Sequence, residues 1–132
     1  MCHAIAVLLV DDDELVSTCI SIWLEDEGFT VYSANSGEAA LRLMAENPVD
    51  VALVDLQLGE LNGEEVIAQA CAAHPATQFM VHTGQHYYQL PDRLLELGLQ
   101  QQNVVFKPIL DLDSFVAAIR RSVSGVPKHA VN

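Results

Sequence analysis

Ala4-Ile5-Ala6-Val7-Leu8-Leu9-Val10 runs without a polar interruption into Asp11-Asp12-Asp13. Seven consecutive apolar residues with no alternation describe a strand buried on both faces, the condition of an inner strand in a parallel sheet. The same pattern returns at Val51-Ala52-Leu53-Val54, which ends in Asp55. Shorter apolar runs at Gln78–Thr83 and Asn103–Phe106 read as two more strands. A fifth, Phe29–Ala34, carries Thr30 and Ser33 and is polar enough for a sheet edge.

Helical periodicity fills the gaps between these runs. From Glu14 to Glu27, Val16, Cys19, Ile20 and Trp23 recur at helical spacing and Gly28 supplies a stop. Ser36 is an N-cap candidate for a helix with Ala39, Ala40, Leu43 and Met44 on one face. Gly63–Ala73 carries Val66, Ile67 and Ala70. Pro91, tolerated only at a helix start, limits the fourth helix to about Pro91–Leu97. The last helix, Leu112–Val123, places Leu112, Phe115, Val116, Ile119 and Val123 together. Five strands alternating with five helices predict an α/β fold, a doubly wound parallel sheet in three layers, α/β/α, with right-handed crossovers. In the flavodoxin-like strand order 2-1-3-4-5, ligands bind at the carboxyl edge between the first and third strands.

The 132 residues suit one domain, expected over 4–123, with 124–132 as a flexible tail or linker stub. A net charge of −12 repels nucleic acid and anionic membranes, so direct nucleic-acid binding is not expected. No apolar run approaches the roughly 18 residues of a membrane span. The N-terminus, broken by His3 and ending in acids, is a poor signal peptide. Cys2, Cys19 and Cys71 form no CxxC pair, and free thiols, with Cys19 and Cys71 buried, fit a cytoplasmic location.

The strand ends collect the chemistry. Asp11, Asp12 and Asp13 close the first strand and Asp55 the third, so carboxylates gather at the expected switch point. Carboxylates this close repel unless a cation joins them, and Mg²⁺ suits a site of carboxylates, water and phosphate. Thr83 ends the fourth strand with a hydroxyl. Lys107, one of only two lysines, follows the fifth and can bind a phosphate oxygen as a compact charge. Pro108 after it allows a cis peptide that would direct the lysine.

VDDD at 10–13, LVDLQL at 53–58 with Gly63, HTG at 82–84 and FKP at 106–108 together resemble the receiver domain of two-component response regulators, over about Ile5–Val123. The resemblance implies that Asp55 is the phosphoacceptor, attacking the phosphorus of a phosphohistidine on a sensor histidine kinase or histidine phosphotransfer protein. It implies that Asp11, Asp12, Asp55 and the backbone carbonyl of Gln57 hold Mg²⁺ or Mn²⁺, and that Lys107 and Thr83 bind phosphoryl oxygens. Such a domain is a signalling phosphoacceptor that catalyses only its own phosphorylation and dephosphorylation. It passes the signal to a downstream protein or output domain through the helix 4–strand 5–helix 5 face.

The chain departs from the family pattern at three places. Val104 stands three residues before Lys107 where the family usually has an aromatic residue, leaving Tyr87 and Tyr88 as substitutes or, the favoured reading, as ordinary loop packing. Leu58-Gly59 replaces the usual Met-Pro, and His82 replaces an aliphatic residue, expected as a partly buried, hydrogen-bonded histidine. Asp13 and Glu14 are expected to serve the helix N-terminus. Two other functions compete. A haloacid dehalogenase-type phosphatase would need an acid where Gln57 stands, and a flavodoxin-like cofactor binder would need a Gly-rich loop after the first strand.

Overall fold

The computed structural model of the protein describes residues 4–59 and 62–124. Strands β1 (Ala6–Val10), β2 (Thr30–Ala34), β3 (Val51–Asp55), β4 (Gln78–Thr83) and β5 (Val104–Phe106) alternate with helices α1 (Glu14–Asp26), α2 (Gly37–Glu46), α3 (Gly63–Ala73), α4 (Asp92–Glu96) and α5 (Leu112–Ser124). All strand pairs are parallel, in the order β2-β1-β3-β4-β5. The expected class, order and edge position of β2 are therefore observed. A 3-10 turn over Gln101–Asn103, closed by reciprocal Gln100–Asn103 capping, was not anticipated.

The period of two along each strand divides the core in two. Leu8, Val10, Ala52, Val54 and Val81 face α2, α3 and α4, meeting Ala40, Met44, Ile67 and Leu94. Val7, Leu9, Val51, Leu53 and Met80 face α1 and α5, meeting Ile20, Leu24, Phe115 and Ile119. Burial on both faces is what the uninterrupted apolar runs require.

The expected inner face of α1 is rotated. Its buried residues are Ser17, Ile20 and Leu24, whereas Cys19 is exposed and Trp23 is 38% exposed. The helix is apolar on two neighbouring stripes, and the sheet takes the one containing Leu24. Cys71 does pack against the core, half-buried, and burial pushes its thiol pKa up. The side-chain cap of α1 is Asp13, which accepts from the Leu15 and Val16 amides as the sequence suggested. Ser36 caps α2, and Pro91 sits at the N-cap of a short α4. Of the expected tail 124–132, Ser124 is the last residue of α5, and 125–132 lie outside the described residues, as do Cys2, His3 and positions 60–61 of the loop after β3.

Candidate functional site

The carboxyl ends of β1 and β3 are adjacent because these strands pair, Val10 opposite Val54. Asp11 and Asp55 therefore leave the sheet side by side, and both are 5% exposed. Asp12, the next residue, is exposed. Carboxylate oxygens of Asp11, Asp12 and Asp55 lie within 4.8 Å of one another. Such a group of hard oxygen donors fits a divalent cation.

Local hydrogen bonds set the direction of each acid. Asp11 Oδ1 accepts the Asp13 amide at 2.8 Å, and Asp55 Oδ1 accepts the Gln57 amide at 3.0 Å. Each carboxylate thus keeps its Oδ2 for the site. Lys107, half-buried, reaches across from the end of β5 and places Nζ 3.0 Å from Asp55 Oδ2 and 3.6 Å from Asp11 Oδ2. The peptide bond between Lys107 and Pro108 is cis. Asp11 Oδ2 is buried and has no hydrogen-bond partner among the described residues. A buried carboxylate oxygen without a donor is costly, and a metal ion is a natural partner for it.

The electrostatics follow from this crowding. Burial, and then the charge of Asp55, hold the Asp11 pKa above the ordinary 3.8, although the Asp13 amide and Lys107 pull the other way. For Lys107, burial disfavours the ammonium, but the hydrogen bond and charge of Asp55, with Asp11 behind it, raise the pKa overall. The acids and the lysine are therefore one charge-coupled unit.

Thr83 is buried at the end of β4, beside β5. Its Oγ1 accepts the Gln85 amide at 3.0 Å, and its carbonyl accepts the Lys107 amide at 2.8 Å. His82, immediately before it, pairs in register with Asp55 and is 3% exposed. Its Nε2 has no hydrogen-bond partner among the described residues, which corrects the expectation of a hydrogen-bonded histidine. It lines a groove with Leu15, Val16, Ile20 and Ile109, whose side chains offer no hydrogen-bond partner, and with Lys107. Burial, helped by Lys107, lowers its pKa to about 4 despite the opposing charge of Asp55.

Gly63 is a residue whose structural reason was invisible in the sequence. It opens α3 against the backbone of Asp55, and a Cβ there would overlap the Asp55 carbonyl oxygen and stand 2.8 Å from Leu56 Cα. Gly59 has φ +81°, a left-handed conformation that suits glycine.

A model of the response regulator receiver domain matches residues 7–120. The chain belongs to the response regulator receiver domain family. Among curated proteins, this receiver is 39% identical over 77 residues to the alginate biosynthesis transcriptional regulatory protein AlgB of Pseudomonas syringae pv. tomato, an alignment covering 58% of this chain and 17% of AlgB. It is 28% identical over 124 residues to the cell cycle response regulator CtrA of Brucella ovis, covering 94% of this chain and 52% of CtrA. The receiver thus spans about half or less of these relatives' lengths.

Solved structures agree on the fold. A receiver domain protein from Methanospirillum hungatei superposes with a TM-score of 0.82 at 22% identity, covering 96% of this chain and 99% of that one. A response regulator from Burkholderia pseudomallei, solved with a phosphorylated aspartic acid, a calcium ion and citrate, superposes with a TM-score of 0.75 at 26% identity, covering 96% and 72%. As a receiver, this chain is a signalling phosphoacceptor domain of a two-component system, with an acidic triad that can bind a divalent metal.

Proposed function

We propose that Asp55 is the phosphoacceptor and that a histidine kinase or histidine phosphotransfer protein is the donor. The reading rests on one observation: Asp55 Oδ2 stands 3.0 Å from Lys107 Nζ, beside Asp11 Oδ2, which has no hydrogen bond among the described residues. In the reaction, Asp55 Oδ2 forms a bond to phosphorus as the P–N bond to the donor imidazole breaks. The bond's electron pair stays on the imidazole, which takes up a proton. Lys107 stays protonated and moves its charge from the carboxylate to a phosphoryl oxygen. Thr83, two hydrogen bonds from Gln85 and Lys107, donates its hydroxyl to another.

Asp11, Asp12, Asp55 and the carbonyl of Gln57 would hold Mg²⁺ or Mn²⁺. Bound there, the ion would supply positive charge against the anionic phosphoryl group. Beside the mouth, Leu15, Trp23, Pro108 and Ile109 line an apolar groove of about 320 Å³ that a donor protein can cover while it reaches Asp55. For output, Leu95 on α4, Leu97 just after it and Phe106 on β5 leave apolar surface, which supports the helix 4–strand 5–helix 5 face as the partner surface. No helix among the described residues is long and apolar enough to cross a membrane, in keeping with work in the cytoplasm.

Incubation with phosphoramidate and Mg²⁺, followed by intact mass measurement, tests the assignment. One added phosphoryl group on the wild type and none on Asp55→Asn is the expected result. Equal labelling of both proteins, or none of the wild type, overturns it.

A further inference from the structure

The segment joining β4 to α4 is tied to both sides of the site's mouth by residues the phosphoryl chemistry does not use. On one side, His86 sets its ring edge-on to Phe106, with centroids 6.0 Å apart at 79°, and its Nε2 lies 3.4 Å from the Lys107 carbonyl. On the other, the Tyr88 hydroxyl donates to Glu64 Oε2 at 2.7 Å. Tyr88 is half-buried against the core, and its carbonyl accepts from Gln101 Nε2 at 3.1 Å. Burial, then the Glu64 carboxylate, holds the phenol pKa well above its usual value, so the hydroxyl is a donor throughout the neutral range.

Both ends of this tie lead to the site. Glu64 follows Gly63, which packs directly on the Asp55 backbone. Tyr88 lies five residues beyond Thr83, whose Oγ1 already holds the Gln85 amide. Tyr87, its neighbour, is 97% exposed and makes no such link. Val104 is buried and offers neither ring nor hydroxyl. Tyr88 is thus the aromatic residue placed to join the Thr83 segment to the Asp55 side of the mouth.

We propose that the Tyr88–Glu64 hydrogen bond is a latch that holds the β4–α4 segment in its unphosphorylated position and opens when Asp55 is modified. The inference rests on the phosphoacceptor reading above. Modification adds about −1.5 to −2 charges within reach of Thr83 and Lys107. A turn of Thr83 toward the new oxygens draws Gln85 with it, and so short a segment carries the movement to Tyr88. A local charge event then becomes a displaced surface ahead of α4.

Hydrogen–deuterium exchange of residues 84–91, with and without Mg²⁺ and beryllofluoride, tests this in wild type, Tyr88→Phe and Glu64→Gln. Tyr88→Phe keeps the ring, and Glu64→Gln keeps an uncharged acceptor. Loading is expected to raise exchange in the wild-type segment. Unloaded Tyr88→Phe should already exchange about tenfold or more faster than unloaded wild type, as loss of a charge-assisted hydrogen bond implies, and should match the wild type once loaded. Glu64→Gln should fall between. A packing role alone would accelerate loaded and unloaded protein equally, and that result overturns the latch. So does unchanged exchange in unloaded Tyr88→Phe. If wild type binds beryllofluoride, seen by fluorine NMR, without change in 84–91, the latch fails and the phosphoacceptor reading stands. If it binds none, both fail.

Discussion

Lys107 sets its ammonium against both buried acids of the site, 3.0 Å from Asp55 and 3.6 Å from Asp11. Its replacement in Lys107→Met leaves Asp55 and Asp11 without a partner charge. Phosphoramidate labelling should slow by about 10²–10³-fold, the scale on which a preorganised charge matters in such reactions, as measured by intact mass against time. His82 makes a second residue-level prediction. Its pKa near 4 in the fold, against 6.5 in the open chain, means that the folded state resists protonation. The associated stability is fully present above pH 6.5 and is lost as pH falls toward 4, up to about 3 kcal/mol. Urea unfolding from pH 7 to pH 4 should show this loss in wild type, and His82→Leu should have a shallower dependence over the same range. The sequence marked His82 as unusual, but not its orphaned nitrogen, because the apolar lining comes from α1 and from Ile109 after β5.

At the scale of elements, the helix starts are the sites' supports. Gly63 opens α3 where a side chain would strike the Asp55 backbone. Gly63→Ala therefore exchanges a helix-propensity gain of up to about 1 kcal/mol for a clash with backbone that cannot swing aside. Net destabilisation of about 2–4 kcal/mol is expected, read from the urea midpoint, together with slower labelling of Asp55. The short α4 and the N-cap roles of Asp13 and Ser36 were readable from proline, acid and hydroxyl placement. The inner stripe of α1 was not. Both of its apolar stripes satisfy helical periodicity, and only the sheet's contour selects Ile20 and Leu24 over Cys19 and Trp23.

Across the whole molecule, folding must bring two buried carboxylates together, at a cost in stability. The raised Asp11 pKa means that its ionised form weakens the fold at neutral pH and that the penalty is relieved as pH falls through the folded pKa. In the absence of divalent cations, Asp11→Asn should accordingly melt higher than wild type at pH 7. Added Mg²⁺ at 100 times its dissociation constant should stabilise wild type by about 2.7 kcal/mol and Asp11→Asn far less, in thermal melts of the two proteins. What the sequence determined by itself was the list of parts: which runs are inner strands, where helices start, and which residues stand at strand ends. Those properties depend on hydrophobic pattern and backbone chemistry close along the chain. Folding in three dimensions was needed for the 3.0 Å reach of Lys107 to an acid 52 residues away, for the atoms of Asp11 and His82 without a hydrogen bond among the described residues, and for the link from Tyr88 to Glu64. Each of these depends on how separate strands register and which helix faces the sheet selects, and so on distances that no local pattern encodes.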